Sequence, residues 1–282
     1  MRKGILMYPE LLQLGPFVIS SYGFMLVMAF LAAYVFIQRD GKRLGWQPEL
    51  AQDIIFWSAI GGVLGAKVYY LIENIGRGSG RNIAGLGDMI AGLFTLDLSR
   101  IAEGVQNFGA GLVFFGGLMG GILAVTLLVR RRKMKWLPMA DLLAPYMILG
   151  YAVGRVGCFL VGDDYGVPSN LPWAMAFPNG LPPTTVTVHP TQLYEITLGL
   201  IIFGFLYWFR SKAKIAGVVF ALYLLLAGTE RFLIEFIRTN RQYAFGFTGA
   251  QYIGALLVII GGYLLYSLAK PVRLGRHEAA PS

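Results

Sequence analysis

An apolar run of about twenty residues recurs seven times along this chain, and that repetition limits the fold more than any other feature. The runs cover residues 16–37, 50–75, 110–129, 139–162, 191–209, 216–237 and 249–268. A run of about 20 residues, rising 1.5 Å per residue as helix, spans a hydrocarbon core about 30 Å thick. That core offers no water to backbone N–H and C=O groups, so runs of this length must be helices. The expected fold is an all-α polytopic membrane protein of seven transmembrane helices. Composition agrees: 56% of the 282 residues are hydrophobic, only 14% are charged, and mean hydropathy is +0.61. A soluble domain carries roughly 25% charged residues. The longest polar interruptions are about 30 residues, so residues 1–282 read as a single integral membrane domain.

The net charge of +9 is distributed as a topology signal, not as a nucleic-acid surface. Fourteen of the 24 Lys and Arg residues fall on one side of the spans. They are Arg39, Lys42 and Arg43; Arg130, Arg131, Arg132, Lys133 and Lys135; Arg210, Lys212 and Lys214; and Lys270, Arg273 and Arg276. Seven (Arg2, Lys3, Arg77, Arg81, Arg100, Arg238 and Arg241) fall on the other. The richer side is cytoplasmic, which puts the amino terminus outside and the carboxyl terminus, with the basic tail 269–282, inside. Arg2 and Lys3 precede the short, broken stretch 4–14, which does not read as a cleavable leader, and the first long run is itself a span.

Between spans 4 and 5, residues 163–190 contain no Lys or Arg, two Asp and six of the 13 prolines. Proline fixes φ and reduces the entropy lost on ordering. The segment reads as an ordered extracytoplasmic cap.

A charge at mid-bilayer costs at least about 2.5 kcal/mol, so the three cations inside spans need explaining. Lys67, Arg155 and Arg231 lie about six to eight residues from the outer ends of their spans, a depth of roughly 10 Å. Tyr22 and the run Phe115, Gly116 and Gly117 fall at the same level. Arg231 has Glu235 at i,i+4 and can be neutralised within its helix; Arg238, near the interface, can snorkel. Arg155 has no acid at i±3 or i±4 and is expected to stand as an unpaired guanidinium between Gly154 and Gly157. Glycines allow close approach, and guanidinium grips phosphate bidentately, so this site suits an anionic phospholipid. The lone thiol, Cys158, excludes an internal disulfide and reads as a small packing residue. His189 and His277 are too few and too far apart for a metal site, and no metal or cofactor is expected.

Several stretches resemble bacterial prolipoprotein diacylglyceryl transferases. Residues 154–166, GRVGCFLVGDDYG, resemble a signature of the form GRxGNFxNxExxG. Residues 189–195, HPTQLYE, are similar to the family's HPSQLYE, and 231–238, RFLIEFIR, to its RxxxEFxR. Gly116–Gly120 match HGGLxG after the histidine, Tyr22 and Gly23 match a first-helix YG, and Asp141 and Pro145 a DxxAP. The resemblance implies transfer of a diacylglyceryl group from phosphatidylglycerol to the lipobox cysteine of a preprolipoprotein, at the outer face of the bacterial cytoplasmic membrane. It implies that Arg155 and Arg231 hold the lipid phosphate. Tyr22, Gly116, Gly117, Gly154, Gly157, His189, Gln192, Tyr194, Glu195, Glu235 and Arg238 then serve as site or scaffold residues, with Lys67 added from its depth. The chain departs from the pattern at Phe115 (usually His), Cys158 and Val161 (usually Asn) and Asp163 (usually Glu). Without that His, the proton acceptor is His189, Asp163 or the lipid phosphate itself. Two alternatives stay open: a divergent or silent relative with another donor or acceptor, and a non-catalytic lipid-binding or transport protein.

The orientation is directly testable. A reporter fused after Ala269 should be active only on the cytoplasmic side, and activity only on the outer face would reverse the assignment.

Overall fold

A computed structural model of the chain describes residues 7–15, 17–74, 80–109 and 114–277. Arg2, Lys3, Arg77 and the first four residues of the third expected span lie outside the described residues, as do the side chains of Arg81, Phe115, Arg273, Arg276 and His277. The elements are β1 (Glu10–Leu14), β2 (Phe17–Ser20), α1 (Ser21–Arg43), α2 (Pro48–Glu73), α3 (Gly80–Thr95), α4 (Leu98–Gly109), α5 (Phe114–Arg131), α6 (Trp136–Val161), β3 (Met175–Phe177), β4 (Thr184–Val188), α7 (Thr191–Phe209), α8 (Val218–Ile234) and α9 (Gly249–His277).

Helices occupy every expected span, and among the described residues five are long and apolar enough to cross a membrane: α1, α2, α6, α7 and α9. The other two runs form the 18-residue α5 and the 17-residue α8. Helix α8 stops short because its last turn tightens into a 3-10 turn, Glu235–Ile237, after which Arg238 is extended and bridges to Gly166.

The chain packs as two compact units. One gathers the described residues of Met1–Glu10, Ser20–Arg39 and Lys135–Ser282; the other, those of Leu11–Ile19 and Asp40–Met134.

In the first unit, Ala144 and Ile148 of α6, Ile202 and Leu206 of α7 and Val219 of α8 form a buried cluster. Asp141 joins α6 to the start of α8. Its carboxylate accepts from the N–H groups of Gly217 (2.6 Å) and Phe220 (2.7 Å), satisfying donors a helix start leaves unpaired. Helices α8 and α9 touch backbone to backbone, since a Cβ at Gly228 would lie 2.7 Å from the carbonyl oxygen of Gly254. Gly162, at φ 73°, ends α6 in the left-handed conformation that favours glycine. The segment 163–190 that follows is folded. Strands β3 and β4 pair antiparallel, and Phe177, fully buried, stacks on Tyr165 (centroids 5.4 Å apart) and meets the edge of Phe159 of α6.

In the second unit, α2 and α5 meet through two glycine pairs spaced i,i+4: Gly61 and Gly65 facing Gly116 and Gly120. A Cβ at Gly61 would lie 2.6 Å from the oxygen of Gly120, and one at Gly65 would lie 2.8 Å from its Cα. Such small-residue faces are how helices approach where lipid supplies no hydrophobic drive. Asp53 and Arg132 close the same pair of helices with an ion pair of 2.5 Å. The α3–α4 hairpin was not expected. Leu98, Ile101, Ala102 and Val105 recur with helical spacing but in a stretch too short and too polar to read as a span. Asp97 caps α4 through the N–H groups of Ser99 (3.0 Å) and Arg100 (3.1 Å).

The glycine contact predicts an asymmetry between two Gly→Ala changes in this unit. Gly65→Ala should destabilise by about 1–3 kcal/mol through backbone overlap with α5. Gly87→Ala, where a Cβ meets nothing within 4 Å, should be neutral or stabilising. Thermal midpoints in detergent measure both, and equal midpoints would refute the packing argument.

Candidate functional site

Helical periodicity lines up Tyr151, Arg155 and Cys158 on one face of α6. The first turn and a half of α7 turns inward Thr191, Gln192 and Glu195, all fully buried. Helix α8 and the turn after it contribute Arg231, Glu235 and Arg238. Arg238 is placed by main-chain pairing: Val167 N–H donates to the Ile237 oxygen and Gly166 N–H to the His189 oxygen, both at 2.9 Å. Gly166 is required there, because a Cβ would lie 2.8 Å from Thr191 Cγ2.

These segments converge on one charge cluster. Glu195 Oε1 lies 3.1 Å from both Arg155 Nη2 and Arg231 Nη1, and its Oε2 lies 3.6 Å from Arg238 Nη1. Glu235 Oε2 lies 3.2 Å from Arg231 and 3.6 Å from Arg238, while Asn240 donates to its other oxygen at 2.5 Å. Asp164 bridges Arg155 Nη1 (2.7 Å) and Arg238 Nη2 (2.6 Å). The Tyr151 hydroxyl donates to Glu195 at 2.8 Å, with Glu230 at 3.4 Å, and its ring lies 5.1 Å from the Arg155 guanidinium. The expected unpaired guanidinium is therefore corrected: Arg155 takes acids from outside its helix, Asp164 just beyond α6 and Glu195 on α7. Arg238, expected to snorkel, is 4% exposed and enclosed by carboxylates. Arg231 does pair with Glu235, and with Glu195 as well.

Two members of the cluster keep an open face. The Arg231 side chain is 24% exposed and that of Arg155 is 12% exposed, whereas Glu195 and Glu235 are sealed. A Cβ at Gly154 would meet nothing within 4 Å, so the surface beside Arg155 is uncrowded. Gly157 instead admits α1, since a Cβ there would lie 3.1 Å from Tyr22 Cα and Met25 Cβ. Tyr22 itself is partly exposed.

Just past α6, Asp163 has its Oδ1 buried without a hydrogen-bond partner among the described residues. Burial, and then the charge of Asp164, push its carboxyl up to about 6. For Asp164 burial acts in the same direction, but the Arg238 and Arg155 guanidiniums outweigh it and hold the carboxyl below its ordinary range. Cys158, Asp163 and Asp164 bring ligand-type atoms within 4.8 Å of one another, but Asp164 is committed to two arginines.

Gln192 donates to the Asp163 carbonyl (2.5 Å) and Thr191 to that of Asp164 (2.7 Å), so α7 pins the main chain entering 163–190. The Tyr194 hydroxyl receives Trp173 Nε1–H at 2.7 Å and lies 3.3 Å from His189 Nδ1. Lys67, Gly116 and Gly117 belong to the second unit. There Lys67 is buried with its amino group 5.4 Å from the Tyr70 ring centroid, and the glycines face α2. Sequence reasoning missed Tyr151, Asp164, Glu230 and Asn240. Only Tyr151 carried a signal, its i−4 spacing from Arg155 on an otherwise apolar face.

A family model described as prolipoprotein diacylglyceryl transferase matches residues 9–267. A phosphatidylglycerol–prolipoprotein diacylglyceryl transferase from Clostridium tetani is 32% identical over 257 residues, covering 90% of this chain and 95% of the relative. One of the same name from Bordetella bronchiseptica is 32% identical over 285 residues, covering 95% and 99%. Another from Coxiella burnetii is 32% identical over 267 residues, covering 92% and 94%. A match of this extent, running through α6, α7 and α8 where the arginines and their carboxylates converge, establishes that the chain belongs to the prolipoprotein diacylglyceryl transferase family.

Proposed function

We propose that this protein transfers a diacylglyceryl group from phosphatidylglycerol to the lipobox cysteine of a preprolipoprotein. The acceptor sulfur attacks a glycerol carbon, a C–S bond forms as the C–O bond to phosphate breaks, and glycerol phosphate leaves. The displacement is redox-neutral and asks two things of the protein: a thiolate, and a counter-charge for the departing phosphate.

The carrying observation is the shared carboxylate. Glu195 Oε1 holds Arg155 and Arg231 side by side, each at 3.1 Å, and each keeps a partly exposed face. The pair is fixed before any lipid arrives, as electrostatic stabilisation requires. Asp163 is the proton acceptor we favour over His189, because its buried Oδ1 has no hydrogen-bond partner among the described residues and its carboxyl is pushed up to about 6.

The wider reading is a multi-pass protein of the bacterial cytoplasmic membrane with seven spans, amino terminus outside and the arginine site facing outward. Residues 163–190 form a cap that receives the acceptor peptide, offering the exposed side chains of Leu171, Trp173, Leu181 and Val186.

Two experiments test the chemistry, both reading diacylglyceryl transfer to a lipobox peptide by mass spectrometry. Arg155→Lys keeps the charge but loses the planar fork, and Arg231→Ala loses both. Each should cost about 3 kcal/mol in the transition state, roughly a hundredfold in rate. Near-normal rates in both, from folded protein, would remove the arginines from the chemistry. For the base, kcat should rise as pH increases through about 6, where Asp163 becomes carboxylate. Asp163→Asn should abolish that limb, and an unchanged limb would transfer the role elsewhere.

A further inference from the structure

Charge balance in the cluster raises a difficulty for any anionic ligand. Arg155, Arg231 and Arg238 are matched by Asp164, Glu195 and Glu235, and the adjoining Asp163 and Glu230 add no positive charge. Bringing a phosphodiester against a cluster already neutral leaves a carboxylate or the phosphate uncompensated in a poorly hydrated place. One carboxylate has to give way. Glu195 and Glu235 cannot, since both are fully enclosed and each serves two or more arginines. Asp164 can, because its side chain is 42% exposed. Its main chain need not move when the carboxylate does: Thr191 Oγ1 holds its carbonyl, Gln192 holds that of Asp163, and Gly166 is tied to His189. Its φ of 61° is a left-handed conformation that Asp and Asn tolerate best among side-chain-bearing residues.

We infer that Asp164 is a resident anion overlapping the phosphate position at Arg155, bound across Arg155 and Arg238 until the phosphate of the lipid donor displaces it from Arg155 into water. It therefore sets the affinity for the donor by competing with it. The inference rests on the proposal that Arg155 and Arg231 bind the donor phosphate.

Displacement makes a prediction opposite in sign to ordinary ligand protection. Wild-type protein is treated with a water-soluble carbodiimide and an amine, and labelling of Asp164 is quantified by peptide mass spectrometry. Dioctanoylphosphatidylglycerol should raise Asp164 labelling severalfold, and dioctanoylglycerol, which has the same acyl chains and no phosphate, should leave it unchanged. A rise with inorganic phosphate as well supports displacement and assigns it to the anion alone. Unchanged or reduced labelling with phosphatidylglycerol overturns the inference. In parallel, Asp164→Asn keeps the backbone preference and removes the competitor, so it should lower KM for phosphatidylglycerol about fivefold, equivalent to about 1 kcal/mol. A folded Asp164→Asn protein with unchanged or higher KM, beside an Arg155→Lys protein with impaired transfer, sinks the inference and leaves the functional reading standing. Arg155→Lys and Arg231→Ala proteins with wild-type KM and kcat would instead sink the reading that these arginines bind the donor phosphate.

Discussion

A single buried carboxylate sets the terms for the charged centre of this protein. Glu195 has no exposure to solvent, yet it faces three guanidiniums carried by α6, by α8 and by the turn that follows α8. Each arginine alone would be expensive in a low-dielectric interior, and so would the glutamate. Together they are tolerable only if their geometry is kept. Removing one partner of such a group leaves an uncompensated charge and costs about 3–5 kcal/mol. The supporting contacts read as devices for keeping that geometry: the Tyr151 hydroxyl on Glu195, Asn240 on Glu235, and the main-chain bridge that fixes Arg238. The result is a stiff, charge-balanced centre in which Arg155 and Arg231 each keep a partly exposed face.

Packing around this centre relies on closeness more than on bulk. Glycines bring α8 against α9 and α1 against α6, and in the other unit they bring α2 against α5. At these places backbones touch, and dispersion between closely opposed chains replaces the apolar burial that drives a water-soluble core. The glycine pair Gly116 and Gly117, which the sequence places among the ligand-binding residues, has its structural explanation here. At Gly116 the neighbour is the α2 backbone.

The sequence reveals most where burial is costly and least where partners are distant in the chain. Arg155, Arg231 and Arg238 stand out because a cation inside or beside an apolar run demands a cause, and the structure gathers all three. Their carboxylates could be assigned only when local: Glu235, four residues from Arg231, was visible, but Asp164 and Glu195 reach Arg155 through a loop whose path the sequence does not specify. The α3–α4 hairpin went unseen for a related reason. Its apolar residues follow a helical period over only about three turns, a signal far weaker than a twenty-residue run. Tyr151 and Glu230 acquire meaning only after three helices are brought together.

The brevity of α8 has a consequence for the lipid around it. Its 17 residues rise about 25 Å, less than the roughly 30 Å of a typical hydrocarbon core. On the seven-span reading, a bilayer meets so short a segment by thinning beside it, at a cost of fractions of a kcal/mol per ångström. On the same reading Arg231 sits near the outer end of α8, and the dimple would form next to its partly exposed guanidinium. Lipids entering it would arrive with headgroups already lowered toward the arginines. The elastic mismatch would then do part of the work of delivering a headgroup, with no moving part and no contact specific to it.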